Sequence, residues 1–380
     1  MYYTTTSLNH SRCERSRHLC IAPTFVVGQK ALWAVVDLTD LKLVGIRWTN
    51  LGRDSIPTEM ATEKKIQNEY ITEYFCLKEN EIYQDGWQLK YSITASDGLR
   101  ISDVKYNSTP VISSAKLVDW HVSYSNTDGF GYSDAIGCPE FSHGAVLAIE
   151  PPVISDLFVD NKKEGFVLEQ KFYSKGWPAP CNYNYVQRYE FYSDVSFRVA
   201  SGSLGRGCGN NGTYRPVMRI AFAANNNSFK EIIGTKKPDW KKEGWKQILS
   251  IDNQFTIEQT NGNGYKVVPD LGKFSTNNIA DNPFIYITKN KPDTDEGESD
   301  LVTIGPCCNT DYKQGPEKFI EPKPDDIQNT SLVLWYVPVL KNDDTPNKEY
   351  CWAKAALVNG VYQTTTYPCI AGPKFIPLRK

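Results

Sequence analysis

Histidine is scarce in this chain, and positive charge is not in excess. Only 4 of the 380 residues are histidine, and no two of them form an H-x-H pair. A site that needs several imidazole ligands is therefore hard to build from this sequence. The 42 Lys and Arg residues are balanced by 44 Asp and Glu residues, which gives a net charge of -2. A dedicated nucleic-acid binder usually carries a basic surface, so we expect no nucleic-acid partner.

Long apolar runs are also missing. No stretch approaches the roughly 20 consecutive apolar residues of a transmembrane helix, so we expect no membrane span. The N-terminal tail 1–27 is polar, and its apolar run Cys20–Val27 is interrupted by Pro23, which makes a poor signal-peptide core. By contrast, 10 cysteines and several Asn-x-Ser/Thr sequons would suit a secreted glycoprotein, so the compartment stays open. The sequons begin at Asn9, Asn107, Asn211, Asn226 and Asn329.

Alternation of apolar and polar residues predicts many antiparallel strands. The clearest runs are rich in Tyr, Val, Ile, Phe and Trp, and turn residues separate them. These runs are Trp87–Ile93, Leu99–Tyr106, Phe166–Phe172, Tyr185–Phe191 and Phe197–Ala200. Ser331–Leu340 is almost wholly apolar, which indicates a strand buried on both faces. Pro338 indicates an edge or a bulge near its end.

Helix is scarce in the pattern. Glu59–Phe75 is the best candidate, because its apolar residues recur at three- and four-residue spacing, and Asp239–Leu249 is a shorter second candidate. Two charged, proline-bearing segments, 289–298 and 314–329, predict loops that face solvent. Many strands with few helices predict a mainly β chain built as a large sandwich or barrel.

Seven segments follow one another in an order typical of one enzyme family. They are Ala31–Val44, Gly86–Tyr106, Tyr124 with Gly137-Cys138, Cys181–Val199, Arg219–Phe229, Asn282–Pro292 and Asn329–Tyr336. Gly86–Tyr106, for example, contains W-x-L followed by D-G-L-x-I-x-D-V. In this order the segments resemble the copper amine oxidases, which are quinoprotein enzymes. Ala31–Val44 resembles the end of the small α/β domain that precedes the catalytic domain of this family, and the later segments resemble the catalytic domain itself. The resemblance covers roughly residues 28–345.

The resemblance implies a fold and an assembly. The expected fold is a large antiparallel β-supersandwich with a small, reduced α/β element on its N-terminal side. The expected parts are a tail at 1–27, the reduced α/β element at 28–80 and the supersandwich domain at 81–380. Because the family pairs two such domains through long β-arms, we expect a homodimer or a larger assembly.

The family makes its quinone cofactor from a tyrosine within T-x-x-N-Y-[DE], with the help of bound copper and oxygen. The matching stretch here places Tyr183 at the precursor position and keeps Asn182. The flanking threonine is replaced by Ala179, and the acidic residue is replaced by Asn184.

Copper in this family is held by three histidines, two of them in an H-x-H pair. Alignment on Arg219 places the pair at Gly212 and Tyr214, and alignment on Leu334–Tyr336 places the third near Asn342. None of the three is histidine. The resemblance therefore implies that the copper site is absent, that Tyr183 is unmodified, and that no cofactor is bound.

The family's catalytic base is an aspartate in a D-A-G-E-[WY]-G stretch. Thr127–Gly131 is the nearest match and makes Asp128 the base position, with Asp134 as an alternative. An aspartate base without the quinone cofactor cannot catalyse amine oxidation. If the vacated pocket serves metal-independent chemistry instead, the residues expected to line it are Asp128, Glu169, Asn182, Tyr183, Tyr214 and Arg215.

Other motifs are weaker. Gly205–Gly209 (GRGCG) lacks the lysine and helix of a phosphate-binding loop, so a hairpin turn is favoured. No G-x-S-x-G elbow accompanies Ser142-His143, and no C-x-x-C pair accompanies Cys307-Cys308. We expect loop-closing disulfides at Cys351 with Cys369 and at Cys13 with Cys20. The resemblance also implies that Cys138 and Cys181 fall near two strands that the family brings close together. Reduced thiols are an equal alternative in a cytosolic protein.

Three function hypotheses follow. The first is a non-oxidising binding or structural protein, a pseudoenzyme that keeps the amine-oxidase fold for assembly or recognition. The second is an enzyme that reuses the vacated pocket without a metal. The third, least favoured, is an active copper quinoprotein with unusual ligands. The sequence names neither a ligand nor a partner.

Overall fold

The computed structural model describes residues 18–50, 62–123, 130–139, 146–205, 207–250, 252–270, 282–291, 294–297, 300, 304–306, 315–320 and 322–379. The chain divides into two compact units, Met1–Glu63 and Lys64–Lys380. Within the ranges given, no helix is both long enough and apolar enough to cross a bilayer.

The first unit contains a four-stranded antiparallel sheet of β1 (Cys20–Ile21), β2 (Thr24–Val27), β3 (Lys30–Asp37) and β4 (Lys42–Asn50). Strand β3 is central, with β4 along one edge and both β1 and β2 along the other. The fully buried Asp37 closes the turn after β3, because its carboxylate accepts the N–H groups of Thr39 at 2.9 Å and Asp40 at 3.2 Å.

The second unit is built on two large sheets. The first has 11 strands in the order β19-β22-β24-β16-β8-β7-β6-β5, with β25 paired to β16, β9 to β8 and β23 to β9. Their bounds are β5 (Asn80–Gln84), β6 (Trp87–Ile93), β7 (Leu99–Tyr106), β8 (Thr109–Ser123), β9 (Phe130–Ser133), β16 (Thr213–Phe222), β19 (Gly244–Gln247), β22 (Phe284–Lys289), β23 (Ile304–Pro306), β24 (Leu332–Val337) and β25 (Leu340–Lys341).

The second sheet has 12 strands in the order β10-β11-β13-β14-β15-β29-β21-β20-β17-β18, with β12 paired to β13 and β28 to β15. Their bounds are β10 (Ile136–Gly137), β11 (Val146–Leu147), β12 (Val153–Val159), β13 (Lys162–Ser174), β14 (Asn184–Tyr192), β15 (Phe197–Ser203), β17 (Asn227–Ile232), β18 (Asp239–Trp240), β20 (Gln254–Gln259), β21 (Gly264–Val268), β28 (Cys369–Ala371) and β29 (Lys374–Pro377). A separate ribbon pairs β26 (Trp352–Val358) with β27 (Val361–Tyr367).

The two large sheets share one apolar core. Alternate residues of each strand point into it, for example Ile101 and Ile220 from the 11-stranded sheet and Phe166 and Phe255 from the 12-stranded sheet. A second core covers the other face of the 11-stranded sheet around Trp335. The predicted mainly β fold with large antiparallel sheets is confirmed.

In the described part of the chain, the helical elements with defined bounds are α1 (Glu63–Ile71), a π-turn at Thr72–Cys76 and a 3-10 turn at Pro316–Phe319. The predicted helix at Glu59–Phe75 is thus confirmed over its described part. Only the C-terminal end of its apolar side faces the core: Ile71 is 1% exposed, whereas Ile66 is 57% exposed and Tyr70 is 47% exposed.

The predicted helix at Asp239–Leu249 is wrong. This segment forms strands β18 and β19 with an extended link between them. Trp240 packs edge-on against Phe229 at 5.1 Å, and Trp245 lies opposite Tyr286 across the β19–β22 pair. Pairing with two sheets outweighs the weak helix preference of the lysines in the segment.

The prediction that 289–298 and 314–329 face solvent is wrong at two acidic residues, Glu296 and Glu317. Glu296 accepts two hydrogen bonds from Arg219, at 2.9 and 2.6 Å, and Arg219 is only 1% exposed. Asp295 binds the same guanidinium at 2.9 Å and the buried Lys116 at 3.2 Å. Glu317 is 4% exposed and accepts the hydroxyl hydrogen of Tyr286. These loops fold over the sheet because buried cations there need carboxylate partners.

Among pairs in which both cysteines are described, three lie at disulfide distance. Cys351 and Cys369 pair as predicted and close the base of the β26–β27 ribbon. Cys138 pairs with Cys76, and Cys181 pairs with Cys208, so Cys138 and Cys181 are not each other's partners. Cys13 and Cys307-Cys308 fall outside the described residues. The three pairs are compatible with an extracellular location.

Candidate functional site

Tyr183 lies immediately before β14, and two hydrogen bonds to Ser174 hold its backbone in place. Its N–H donates to Ser174 Oγ at 2.9 Å, and its C=O accepts the Ser174 N–H at 3.0 Å. Its partly buried ring packs against the main core, with its centroid 5.3 Å from that of Tyr185. The side chain is thus held at the end of a strand rather than in a flexible loop.

Asn182 does not point its amide at the Tyr183 ring. Its Nδ2 donates to the carbonyls of Ala179 and Pro180, each at 3.1 Å, and its Oδ1 accepts the Gly176 N–H at 3.1 Å. These three bonds close the turn between β13 and β14. Asn182 therefore shapes the loop that presents Tyr183.

A disulfide lies beside Tyr183. Cys181 and Cys208 join the β13–β14 turn to the loop before β16, and the Tyr183 hydroxyl lies 4.0 Å from Cys208 Sγ. Both cysteines are exposed. The hydroxyl thus faces sulfur at the surface.

Gly212 and Asn342 are brought into direct contact. They continue the β16–β25 pairing, in which Thr213 lies opposite Lys341. The Gly212 N–H donates to Asn342 Oδ1 at 2.9 Å, and the Asn342 N–H donates to the Gly212 C=O at 2.9 Å. Asn342 Nδ2 donates to the Gly209 C=O, also at 2.9 Å. We call this set of bonds the Gly212–Asn342 clamp.

Tyr214 lies on the same strand and turns into the core. Its side chain is fully buried, its ring centroid lies 6.3 Å from that of Tyr185, and its hydroxyl accepts the Gly207 N–H at 3.0 Å. This hydrogen bond anchors the loop at Gly207, which is consistent with a structural role for the GRGCG sequence.

The residues at these three positions do not fit a copper ion. Gly212 has no side chain, the Tyr214 hydroxyl and Asn342 amide are engaged with backbone groups, and none supplies an imidazole. The two histidines among the described residues bind carboxylates, His121 with Asp119 at 2.7 Å and His18 with Asp37 at 2.7 Å.

Asp134 is the acidic residue that the described structure places at this end of the core. Its Oδ2 accepts the Tyr185 hydroxyl at 2.7 Å, and its N–H donates to the Trp120 C=O at 2.9 Å. Burial raises the pKa of Asp134 to about 6, although the Tyr185 hydrogen bond acts to lower it. Tyr185 in turn stacks on Trp120 with ring centroids 3.8 Å apart. Asp128 lies outside the described residues.

Arg215 and Glu169 do not join Tyr183. Arg215 follows Tyr214 on β16, so the two side chains point to opposite faces of the sheet, and Arg215 donates to Ser123 Oγ at 3.1 Å. Glu169 alternates with the core residue Leu168 and lies near Arg188 on the outer face, with an N–O distance of 3.6 Å. Of the described residues expected to line one pocket, Tyr183 and Tyr214 both lie beside Tyr185, whereas Arg215 and Glu169 lie on other faces of the sheets.

Sequence reasoning missed two features of this region. The Asp134–Tyr185 pair was not foreseen, because a tyrosine at a core position of a strand gives no sign of what its hydroxyl contacts. Cys208 was not foreseen as the partner of Cys181. The sequence carries no spacing signal that joins Cys208 to Cys181, because disulfide connectivity is set by the fold.

Comparison with known proteins adds a distant fold relation. No family model matches the sequence, and no curated protein sequence matches it. Among solved structures, a Pichia pastoris lysyl oxidase and an Aspergillus nidulans amine oxidase each show 13% identity and a TM-score of 0.45, covering 77% of this chain and 51% of theirs. A copper-containing benzylamine oxidase from Hansenula polymorpha shows 11% identity and a TM-score of 0.46, covering 94% of this chain and 77% of that one.

The fold resembles that of copper amine oxidases. The chain spans about half the length of the first two structures. With identities of 13% or less and TM-scores below 0.5, the likeness concerns the arrangement of the sheets and says nothing about metal, cofactor or substrate.

Proposed function

We propose that this chain is a non-oxidising relative of the copper amine oxidases that acts as a binding or structural protein. The observation that carries the proposal is the Gly212–Asn342 clamp. The resemblance assigns Gly212 and Asn342 to copper-ligand positions. Here the two residues hydrogen-bond to each other, Asn342 also bonds the Gly209 C=O, and neither residue supplies an imidazole. Tyr214, at the third position, supports the same conclusion because its hydroxyl is engaged with the Gly207 N–H.

The surroundings of Tyr183 also support the proposal. Formation of a quinone from tyrosine requires a redox metal beside the ring, whereas the hydroxyl here lies 4.0 Å from Cys208 Sγ at the protein surface. Without copper, the ring has no catalyst for its own oxidation. Tyr183 then remains an ordinary tyrosine that packs beside Tyr185.

The proposal is tested by measuring hydrogen peroxide release from primary amines. The purified chain is incubated with Cu(II) in air, freed of unbound metal, and assayed with aliphatic and aromatic amines. We expect no turnover above a Tyr183→Phe control, since that variant cannot form the quinone. Amine-dependent peroxide release that the Tyr183→Phe variant abolishes would refute the proposal.

We also propose that two copies associate through the exposed β26–β27 ribbon. Its tip carries apolar side chains in solvent, with Leu357 61% exposed and Val361 67% exposed, and the Cys351–Cys369 pair fixes its base. An apolar, disulfide-anchored ribbon suits contact with a second protein surface. Light scattering after size exclusion should show a dimer that Leu357→Asp with Val361→Asp converts to a monomer. A monomeric native chain would refute this assembly.

A further inference from the structure

A second cleft opens at the opposite end of β14 from Tyr183. Tyr183 precedes the first residue of this strand, whereas Val195, three residues beyond its last residue Tyr192, lines the cleft. At about 3.4 Å per residue, the intervening strand separates the two places by roughly 30 Å. The cleft has a volume of about 400 Å³, within the usual range for small-molecule sites.

The floor of the cleft is the core between the two large sheets. Val111, Phe222 and Ile257 contribute to it, and each is at most 7% exposed. Two tyrosine rings form the walls. Tyr106 lies edge-on to Trp87 at 5.2 Å, and Tyr265 lies edge-on to Phe197 at 5.1 Å. Because each ring packs against another aromatic ring, both are fixed before any ligand arrives.

The rim of the cleft is rich in amides. Asn107, Gln259 and Asn263 line it, and the side chains of these residues form no hydrogen bond with other described residues. The Tyr265 hydroxyl, on a residue only 9% exposed, likewise has no partner among the described residues. Burial raises the pKa of Tyr265 above the ordinary value for tyrosine, which is itself well above neutral pH, and the hydroxyl is therefore protonated and able to donate. Together they offer several donors and acceptors above an apolar floor.

One charge is present in the described lining, and it is positive. Arg379 donates from Nη1 to the Asn261 C=O at 3.0 Å, which uses one of its five N–H donors. Its guanidinium lies against Gly262, where an added Cβ would meet Nη2 at 2.2 Å. Gly262 has φ +80°, so glycine is favoured there for the turn, and its lack of a side chain leaves room for the Arg379 guanidinium.

We propose that this cleft binds a saccharide that carries a carboxylate, such as a uronic acid residue. A pyranose ring has an apolar C–H face that suits the Tyr106 and Tyr265 walls, and hydroxyl groups that pair with amides such as Gln259 and Asn263. Arg379 pairs with the carboxylate in the manner that guanidinium groups favour. None of the described lining residues carries a carboxylate that would repel an anion. The proposal does not depend on whether Tyr183 is oxidised.

The test uses D-glucuronic acid and D-glucose as matched probes on the full chain. N-linked glycans are first removed enzymatically, because Asn107 begins a sequon at the rim. Saturation-transfer NMR titration should show glucuronic acid binding with a Kd on the order of 1 mM, several-fold tighter than glucose. Arg379→Gln should weaken the affinity for glucuronic acid to that for glucose. Arg47→Gln, at an exposed arginine in the first unit, should leave both affinities unchanged.

Tyr265→Phe provides an independent variant that keeps the wall and removes one hydroxyl. We expect both sugars to bind about 3- to 10-fold more weakly, as for the loss of one hydrogen bond. Circular dichroism and the melting temperature of each variant confirm that its fold is retained. The proposal is overturned if neither sugar binds at about 20 mM, or if folded Arg379→Gln and Tyr265→Phe variants bind glucuronic acid as the native chain does.

Discussion

Gly212 and Asn342 hold each other through a reciprocal pair of 2.9 Å hydrogen bonds, one to the Asn342 side chain and one between backbone groups. Asn342 is only 6% exposed, and its amide reaches on to the Gly209 C=O. One side chain thus joins the end of β25 to the turn that enters β16. At the positions where the resemblance implies metal ligands, this chain has a structural contact instead.

The clamp predicts a measurable contribution to stability. Asn342→Ala removes two hydrogen bonds and leaves the Gly212 N–H and Gly209 C=O without them, so the free energy of unfolding should fall by about 2–3 kcal/mol. Asn210→Ala is the matched control, since its amide bonds Asp344 in an exposed position and its loss should cost less than about 0.5 kcal/mol. Equal losses in urea unfolding would contradict a structural role for Asn342.

Asp134 predicts a specific dependence of stability on pH. Burial raises its folded-state pKa to about 6, so the folded chain holds this proton more tightly than the unfolded chain does. The resulting stability is fully present below about pH 4 and is lost as the pH rises through 6.

Asp134→Asn mimics the protonated form at every pH. Relative to the native chain, its free energy of unfolding should increase between pH 4 and pH 7 by up to about 3 kcal/mol. Asp252→Asn, at an exposed carboxylate, should follow the native curve. A constant difference between Asp134→Asn and the native chain across this range would show that Asp134 does not titrate there.

Loss of the buried ion pairs of Arg219 should lower the stability of the fold. Arg219→Gln leaves Glu296, with 12% side-chain exposure, and Asp295 without their guanidinium partner, and should lower the free energy of unfolding by about 3–5 kcal/mol. Lys163→Gln breaks an exposed pair with Asp156 and should cost less than about 1 kcal/mol. Calorimetry or urea titration compares the two, and a loss below that of Lys163→Gln would contradict the role assigned to Arg219.

Strands were the part of the fold that the sequence predicted best. Trp87–Ile93 and Leu99–Tyr106 agree with the observed bounds because one face of each strand is buried and the alternation is therefore clear. The segment Asp239–Leu249 was misjudged because its two tryptophans pack on different sheets, a long-range effect that spacing cannot reveal. The burial of Glu296 and Glu317 was not predicted, because a charged residue usually lies at the surface and the sequence does not reveal the buried side chain that binds it.

The candidate site was predictable only in part. The local motif identified Tyr183, and alignment placed Gly212 and Asn342, which the structure brings into contact. The bonds between them could not be foreseen, because amide contacts leave no periodic pattern in a sequence. The separation of Arg215 from Tyr214 follows from strand geometry and could have been foreseen from their adjacency.

The copper content of the chain tests the central claim most directly. The purified chain is exposed to excess Cu(II) in air, dialysed against a weak chelator, and analysed for bound metal and for visible absorbance, with Tyr183→Phe treated alongside. We predict far less than one copper per chain and identical visible spectra for the two proteins. One tightly bound copper per chain, together with a visible band that Tyr183→Phe lacks, would contradict the account.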